Sequence, residues 1–483
     1  MSQHRYLGTW GLVLAIVFVL AGCSHPVYPT NGGGGGTTTS PVILTVHDTP
    51  ATGITITSFE VTITGASLTP TSGAPVSLLS TPVTLELTQL QANSAFLSST
   101  SVKTGSYSSL TVTFANPQFT FVNDTGGSVT IGANTCAAGA SCVVTPTITG
   151  ASTMTFSSTP FPLTVGQSQV NLLEMDLNLN NIVQSDFSVS FGATGAGTVT
   201  NTPKSVSGTP STVGSLAMNG SVTSVGSNNF KFAPSTGQAA FTIAVNSSTA
   251  FIFGSTCSAN NFTCVTSGEL VNIQANVLSD GSLVASTILF DDASGTQQLT
   301  GEIVALNGTP PTSFTMVVHN EVPSLSNASI GTPITVTVGS NISFGVNNFF
   351  QLPSGFFSFA SPSDLLVGQE VEARLSGTFS AGPPAAFTTD RIMLDPSQLT
   401  ATVSTVDPGN LSFFVNGLPS LFTSNPTGSI LQIQVLTGTN TDFQTPSSSF
   451  SDVTSTKVFA VGGFLFNTTP SPSITAVVVR GPE

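Results

Sequence analysis

The stretch VNIQANVLSDGSLVASTILF, residues 271–290, decides the fold class. Apolar and polar side chains alternate on both sides of Asp280-Gly281, and this period of two is typical of half-buried β-strands. An Asp-Gly pair between two such runs is a strong signal for a hairpin turn. The stretch therefore predicts two antiparallel strands, residues 271–278 and 283–290.

The same alternation recurs along most of the chain, for example in LTVTF at residues 110–114 and FTIAV at 241–245. No stretch after residue 22 shows the 3.6-residue period of an amphipathic helix. Between Ile56 and Phe59 the apolar parity changes at Ser58, which predicts a β-bulge or a strand break there. We therefore expect an all-β protein.

Composition limits the classes of function. Of 483 residues only 6% are charged, against about 25% in an average protein, and the net charge is −14. Eight Lys and Arg residues leave no basic footprint, so we expect no nucleic-acid partner. The four His offer little for metal or acid–base chemistry. The length predicts several domains, because single cores seldom exceed roughly 300 residues.

The N-terminus has the pattern of an export signal. Residues 1–22 contain Arg5 and a short apolar run, and end in Leu20-Ala21-Gly22 before Cys23. This junction resembles the lipobox of bacterial lipoproteins. The resemblance implies cleavage before Cys23, a diacylglycerol on its thiol and an acyl chain such as palmitate on its amine. An ordinary signal peptide with an incidental Cys is the alternative.

The residues after the junction predict where the protein is held. Residues 23–41 include five consecutive glycines at 32–36, the composition of a flexible tether. Ser24 follows the Cys instead of the Asp associated with inner-membrane retention. We therefore expect a cell-envelope protein anchored in the outer-membrane bilayer through acylated Cys23.

Four further cysteines support export. Cys136 and Cys142 form one close pair, and Cys257 and Cys264 form another. In an oxidising compartment each pair is expected to form a local disulfide. Free thiols are the alternative. Zinc would need C-x₂-C spacing or nearby His, and neither is present.

A first domain is expected over residues 42–204. Its motifs are VHDTP at 46–50, FEVTITG at 59–65, VTLELTQL at 83–90, GSY at 105–107 and LEMDLNL at 173–179. In order and spacing these motifs resemble the domain-of-unknown-function 4382 family of bacterial envelope proteins, which has no established activity. We expect this domain to be β-sandwich-like.

Three related units follow, over residues 215–296, 297–396 and 397–483. Gly220-Ser221-Val222 is matched by similar strand patterns beginning at Gly301 and Ala401. The units resemble the domain-of-unknown-function 5666 repeats, which implies small OB-type barrels. We therefore expect an N-terminal β-sandwich-like domain followed by three small β-barrel or sandwich repeats.

The two histidines beyond the tether are the first candidates for chemistry. His47 adjoins Asp48, but neighbouring residues in a strand point to opposite faces and are poorly placed to pair. A strand-end polar role is the expectation, and an acid–base or metal role the alternative. His319 shares a strand face with Glu321, yet two ligands do not define a metal site.

The acidic residues are expected to be structural. They fall into three groups: Asp176, Asn178 and Asn180; Glu370, Glu372 and Arg374; and Asp291 and Asp292. The first group imitates the start of a calcium loop but lacks the Gly and the final Glu of such a loop, so we expect it to form one polar face of a strand. The second group shares a strand face and predicts an exposed charge ladder, and the third group is expected to cap a strand end.

These patterns favour a non-catalytic function. Nucleotide-binding, zinc-protease and serine-hydrolase motifs are absent from the sequence. We expect no catalytic residue, no cofactor and no metal, and β modules that act in binding, adhesion or envelope architecture. The expected partners are the bilayer and a glycan or envelope protein. A carbohydrate-active or metal-dependent hydrolase, and an accessory subunit of a secretion or uptake system, are the alternatives.

Overall fold

The computed structural model describes the chain from residue 38 to residue 482 and confirms an all-β protein with several sheets. The description omits residues 52–53, 133, 206–209, 211, 235–239, 253–258, 260, 279, 291–297, 323–329, 348–356, 376–385, 424–427 and 445, and the side chains of residues 213–217 and 322. Helices in the described residues are short. They are α1 (Leu179–Ile182), α2 (Ser420–Thr423) and the 3-10 helices Leu87–Leu90, Phe262–Cys264, Pro362–Asp364 and Phe450–Asp452.

The N-terminal part is a β-sandwich of two sheets. Its strands are β1 (Thr39–Thr49), β2 (Thr55–Pro70), β3 (Val76–Ser77), β4 (Val83–Glu86), β5 (Ala95–Lys103), β6 (Gly105–Val122), β7 (Val129–Ile131), β8 (Asn134–Cys136), β9 (Ser141–Val144), β10 (Thr153–Phe156), β11 (Leu163–Val165), β12 (Gln169–Asn178) and β13 (Gly197–Ser205). One sheet has the order β13-β12-β1-β5. The other is built on β6 and β2, which also carry β3, β4, β9, β10 and β11. We call this part the sandwich module.

The side chains of β1 alternate between two hydrophobic cores, one on each face of its sheet. Val42, Leu44 and Val46 are fully buried in the core between the two sheets. Ile43 points to the opposite face, as the period of two requires. That face is not solvated, because Ile43 packs in a second core together with Phe96, Val170 and the first barrel.

The predicted irregularity at Ser58 is a β-bulge. On β2, Ile56 pairs with Phe121 and Ser58 pairs with Thr120, which leaves Thr57 as the extra residue without a partner on β6. The strand continues through this position, so the alternative of a strand break is wrong. The bulge turns the buried Thr57 toward a neighbouring barrel.

Three closed five-stranded barrels follow the sandwich module. The first comprises β14 (Thr212–Val225), β15 (Asn229–Pro234), β16 (Phe241–Ala244), β17 (Ala250–Ile252), β18 (Leu270–Leu278) and β19 (Leu283–Phe290). The second comprises β20 (Gln298–Gly308), β21 (Pro311–Val322), β22 (Pro333–Val346), β23 (Glu370–Leu375) and β24 (Ala386–Asp395). The third comprises β25 (Ser397–Asp407), β26 (Ser412–Asn416), β27 (Ile433–Leu436), β28 (Asp442–Gln444), β29 (Val458–Phe466) and β30 (Ser473–Arg480).

All three barrels share one connectivity. The short strands β17 and β28 are additional to the five of their barrels and, among the described residues, pair only with β19 and β30. When the other five strands are counted in chain order, the ring runs 1-2-3-5-4 and closes between strands 4 and 1. Strands 3 and 5 are parallel and the other pairs are antiparallel. A 3-10 helix lies between strands 3 and 4 in each barrel. This Greek-key barrel is the topology of the OB-fold.

The hairpin predicted from residues 271–290 is strands 4 and 5 of the first barrel. Val277 pairs with Leu283 across the turn, and the Gly281 N–H donates to the Leu278 carbonyl. Gly281 has φ +81°, a left-handed conformation that favours glycine. The Asp280 carboxylate accepts hydrogen bonds from the backbone and hydroxyl of Ser282, which fixes the turn.

The barrels pack closely against the sandwich module and one another. Phe96 of the module and Phe241 of the first barrel lie edge to face, 5.2 Å apart. The second and third barrels share a hydrophobic core, and the Gln369 side chain of the second donates to the Leu465 carbonyl of the third, at 2.9 Å. Residues from Thr38 onward form one compact unit. The boundaries of the four expected domains remain a prediction.

Candidate functional site

Several predicted positions lie outside the described residues. They are the export signal over residues 1–22, the tether up to residue 37 with Cys23, and Cys257, Asp291 and Asp292. Cys264 is buried in a 3-10 helix of the first barrel. Its pairing with Cys257 therefore remains a prediction.

The predicted disulfide between Cys136 and Cys142 is confirmed. It joins the end of β8 to the start of β9, with the two Cα atoms 6.0 Å apart. Its loop is also held by the Asn123 side chain, which donates to the Cys136 carbonyl at 2.9 Å. The disulfide borders an open groove of about 820 Å³ in the sandwich module, which we call the disulfide groove. Its lining residues are Ile131, Gly132, Asn134–Cys136, Cys142–Thr147, Thr149 and Asp186–Ser188.

His319 lies at the junction between the second barrel and the sandwich module. It is the extra residue of a second β-bulge, because Thr300 pairs with Asn320 and Gly301 pairs with Val318. Its Nε2 is 2.6 Å from the Thr57 carbonyl oxygen, and its Nδ1 is 3.0 Å from the carboxylate of Glu370 on β23. The side chains of His319 and Glu370 are only 3% and 5% exposed.

The charge of this junction follows from its contacts. Burial alone lowers the pKa of His319, but the carboxylates of Glu370, Glu86 and Glu302 outweigh burial and raise it to about 10. The imidazole is therefore protonated at neutral pH and donates from both nitrogens. Desolvation raises the pKa of Glu302 to about 8, with opposition from His319 and support from Glu370 and Glu86. Glu302 is therefore mostly neutral at pH 7.

The prediction that Glu370, Glu372 and Arg374 form an exposed charge ladder is wrong. Glu370 is buried at the junction with the sandwich module, where its carboxylate lies 3.0 Å from Nδ1 of His319. Glu372 and Arg374 each form an ion pair, Glu372 with Arg391 at 2.9 Å and Arg374 with Asp390 at 2.7 Å. These partners lie on β24, which the sequence pattern did not identify as the adjacent strand.

A second polar cluster joins the third barrel to the sandwich module. Arg480 on β30 is 4% exposed, and its guanidinium donates to Glu174 at 2.9 Å, to Ser94 at 2.7 Å and to Gln444 at 2.7 Å. Ser94 in turn donates to Glu174 at 2.6 Å. A largely buried ion pair therefore joins β30 of the third barrel to the sandwich module.

His47 and Asp176 border the same cluster. They are register partners on the parallel strands β1 and β12, with Nδ1 and Oδ1 3.5 Å apart. Burial first, then the charge of Arg480, lowers the pKa of His47 to about 4. Burial raises the pKa of Asp176 to about 6, although the Thr49 hydroxyl and Arg480 oppose the shift. His47 is thus a partly buried, neutral residue opposite Asp176.

The expected polar strand face is confirmed for Asp176 and Asn178, but it is wrong for Asn180, which lies in α1 beyond the end of the strand. Leu173, Met175 and Leu177 alternate with them and are fully buried. The strand ends where Asn178 caps α1 by accepting from the Asn180 N–H at 3.0 Å. Among the described residues, no three His, Cys, Asp or Glu side chains are placed to hold a metal ion. No described helix is long and apolar enough to span a membrane.

Comparisons with known proteins add little to this geometry. No family model and no curated protein match the chain. Two matching solved structures are a Streptococcus pneumoniae multidomain protein with nucleic acid binding domains and Drosophila Unr CSD456. The first is 10% identical over 54% of this chain and 73% of its own, with a TM-score of 0.11. The second is 9% identical over 54% and 94%, with a TM-score of 0.12. At these TM-scores neither likeness bears on what this chain binds.

Proposed function

We propose that this protein is a lipid-anchored component of the bacterial cell envelope that acts by binding and not by catalysis. The observation that carries the proposal is the junction Leu20-Ala21-Gly22-Cys23, placed directly after a short apolar run. Acyl chains stabilise membrane attachment by about 0.8 kcal/mol per buried CH₂, so several chains on Cys23 give a lasting anchor. The Cys136–Cys142 disulfide supports an oxidising compartment.

Polar groups in the described residues hold the modules together, and this supports a structural role for the second barrel. In OB-folds the face of strands 2 and 3 is the usual ligand surface. In the second barrel, the residues just before strand 3 pack on the sandwich module. The Gly331 carbonyl accepts from Thr120 of that module, and the Ile330 carbonyl accepts from Gln118. His319, on strand 2, is held by the same module. This barrel thus uses its common ligand region to hold another part of the chain.

The charges support the exclusion of nucleic acid from the proposed partners. Of the eight basic residues, Arg374, Arg391 and Arg480 are in ion pairs with carboxylates. Few cations remain for phosphate contacts, and these contacts supply essentially all non-specific nucleic-acid affinity. We infer that the modules bind a neutral glycan or another envelope protein.

The proposal is tested by expressing the full chain in a bacterium that processes lipoproteins. Wild-type protein is expected in the membrane fraction and in the detergent-rich phase after temperature-induced separation. The Cys23→Ser variant lacks the thiol nucleophile and is expected in the aqueous phase or as uncleaved precursor. Ser24→Ala keeps the thiol and serves as the matched control. Equal partition of wild type and Cys23→Ser would refute the anchor.

A further inference from the structure

The disulfide groove has the size of a ligand site. Its volume of about 820 Å³ lies within the roughly 300–1,000 Å³ typical of small-molecule sites. The Cys136–Cys142 bond closes one side, and β9, which carries Val143 and Val144, forms a wall. Since β9 is paired with β6, this wall is fixed in the sheet. The groove is therefore built on the rigid part of the sandwich module.

The charge of the groove restricts the ligand. Its lining includes no Lys, Arg or His, and the one carboxylate belongs to Asp186. That carboxylate accepts from the Ser188 hydroxyl at 2.6 Å and the Ser188 N–H at 3.0 Å. These hydrogen bonds hold the pKa of Asp186 below its usual range, so the group is anionic at neutral pH. An anionic ligand would meet repulsion and find no cation in the lining.

The remaining lining groups suit a ligand with many hydroxyls. Thr135, Thr145 and Thr147 line the groove and are exposed. Among the described residues, the hydroxyls of these three threonines form no hydrogen bond with the rest of the fold. Each hydroxyl can donate and accept. Beside them Val143 is 44% exposed and offers an apolar surface.

Phe187 adds an aromatic ring in an unusual backbone conformation. Its φ is +63°, a left-handed value that is strained for a bulky residue. The ring lies 4.9 Å from that of Phe121 and 6.4 Å from that of Phe119, so aromatic contacts hold it in place. Strained residues of this kind cluster at ligand sites. Phe187 is half-buried and lines the groove.

We propose that the disulfide groove binds an uncharged oligosaccharide, with the Thr135, Thr145 and Thr147 hydroxyls bonding sugar hydroxyls and with Val143 and Phe187 contacting its C–H faces. This inference rests on the proposed function, because it assigns a ligand class and a site to modules that act by binding. A peptide strand added along β9 is the competing occupant, and the experiment separates the two.

The experiment is calorimetric titration of the full chain, in detergent, with defined probes. The probes are maltohexaose, cellohexaose, chitohexaose, an oligogalacturonate and an uncharged Ser/Thr-rich hexapeptide. The groove variant is Val143→Asp, which replaces the apolar contact by a hydrated charge. The matched control is Val225→Asp on β14 of the first barrel, because Val225 has a similar exposure of 42%. Circular dichroism melting verifies that both variants fold.

Saturable binding of at least one neutral hexasaccharide is expected, weakened roughly tenfold or more by Val143→Asp and changed less than about twofold by Val225→Asp. The proposal is overturned if no neutral hexasaccharide binds, if the oligogalacturonate or the peptide binds more tightly, or if the two variants weaken binding equally. The anchor is scored separately by detergent partition. Retained partition without sugar binding overturns the groove proposal alone, and sugar binding without partition overturns the anchor alone.

Discussion

Nε2 of His319 donates to the carbonyl oxygen of Thr57 at 2.6 Å, and each residue is the extra residue of a β-bulge. A bulge leaves its residue without a regular ladder partner. Here the two irregularities meet across a junction, and Glu370 neutralises the imidazolium. The two β-bulges thus form one contact between the sandwich module and the second barrel.

The first prediction concerns pH. The pKa of His319 is raised from 6.5 to about 10, so its stabilisation is complete below pH 6.5 and is lost as pH rises through 10. The pKa of Glu302 is raised from 4.5 to about 8, so its contribution also falls as pH rises, between 4.5 and 8. Both groups therefore predict a melting temperature that decreases from pH 7 to pH 10.

Two glutamine variants test this assignment by thermal unfolding across the same pH range. His319→Gln is expected to flatten the decrease, because the titrating imidazole is gone. His47→Gln is the control and should keep the decrease, since the pKa of His47 is lowered to about 4 and its titration is complete below pH 7. A decrease of the same slope in His319→Gln and wild type would contradict the prediction.

The second prediction concerns the stability of the protein between pH 6 and pH 4. The lowered pKa of His47 makes stability rise with pH between about 4 and 6.5, whereas the raised pKa of Asp176 makes it fall between 3.8 and about 6. The two slopes oppose each other. Asp176→Asn is therefore expected to steepen the loss of stability between pH 6 and pH 4, measured by urea unfolding. An unchanged or shallower loss would contradict the raised pKa of Asp176 and the opposing slopes.

The third prediction concerns Arg480. Arg480→Met leaves the Glu174 carboxylate partly buried without its cation, and is expected to cost about 3 kcal/mol of unfolding free energy, the lower end for a broken buried pair. The double variant Arg480→Met/Glu174→Met should recover most of the loss. Arg374→Met, in a more exposed ion pair, should cost below about 1 kcal/mol. Equal losses in the two single variants would refute a special role for Arg480.

The fourth prediction concerns the disulfides. Replacing Cys136 and Cys142 by Ala is expected to cost about 2 kcal/mol, because the cross-link closes a short loop. Denaturant unfolding of oxidised wild type and the double variant measures the loss. Peptide mapping without reduction should also find Cys257 linked to Cys264. Free thiols at these two positions, or a crossed pair, would overturn that assignment.

The sequence predicts well what depends on near neighbours. Alternation and an Asp-Gly pair were enough to predict the β18–β19 hairpin, since turn and strands lie within residues 271–290. The parity change at Ser58 predicted a bulge or a strand break, because an extra residue shifts every later side chain to the other face, and the structure shows the bulge. The spacing of Cys136 and Cys142 identified their disulfide in the same way.

The junctions could not be predicted because their partners are distant in the chain. His319 and Glu370 are separated by 51 residues, and Arg480 and Glu174 by 306. Glu370 has the sequence pattern of a surface ladder, and it is buried because this face of the second barrel packs on the sandwich module, where His319 contacts both Glu370 and Thr57. His47 and Asp176 meet through parallel pairing of β1 and β12, which no local pattern specifies.

The mature protein is expected to begin at an acylated Cys23. The most direct measurement is mass spectrometry of the N-terminal peptide of protein purified from the membrane fraction. Cys23 is expected as the first residue, with a diacylglycerol on its sulfur and an acyl chain on its amine. An N-terminus at any other residue, or an unmodified Cys23, would contradict it.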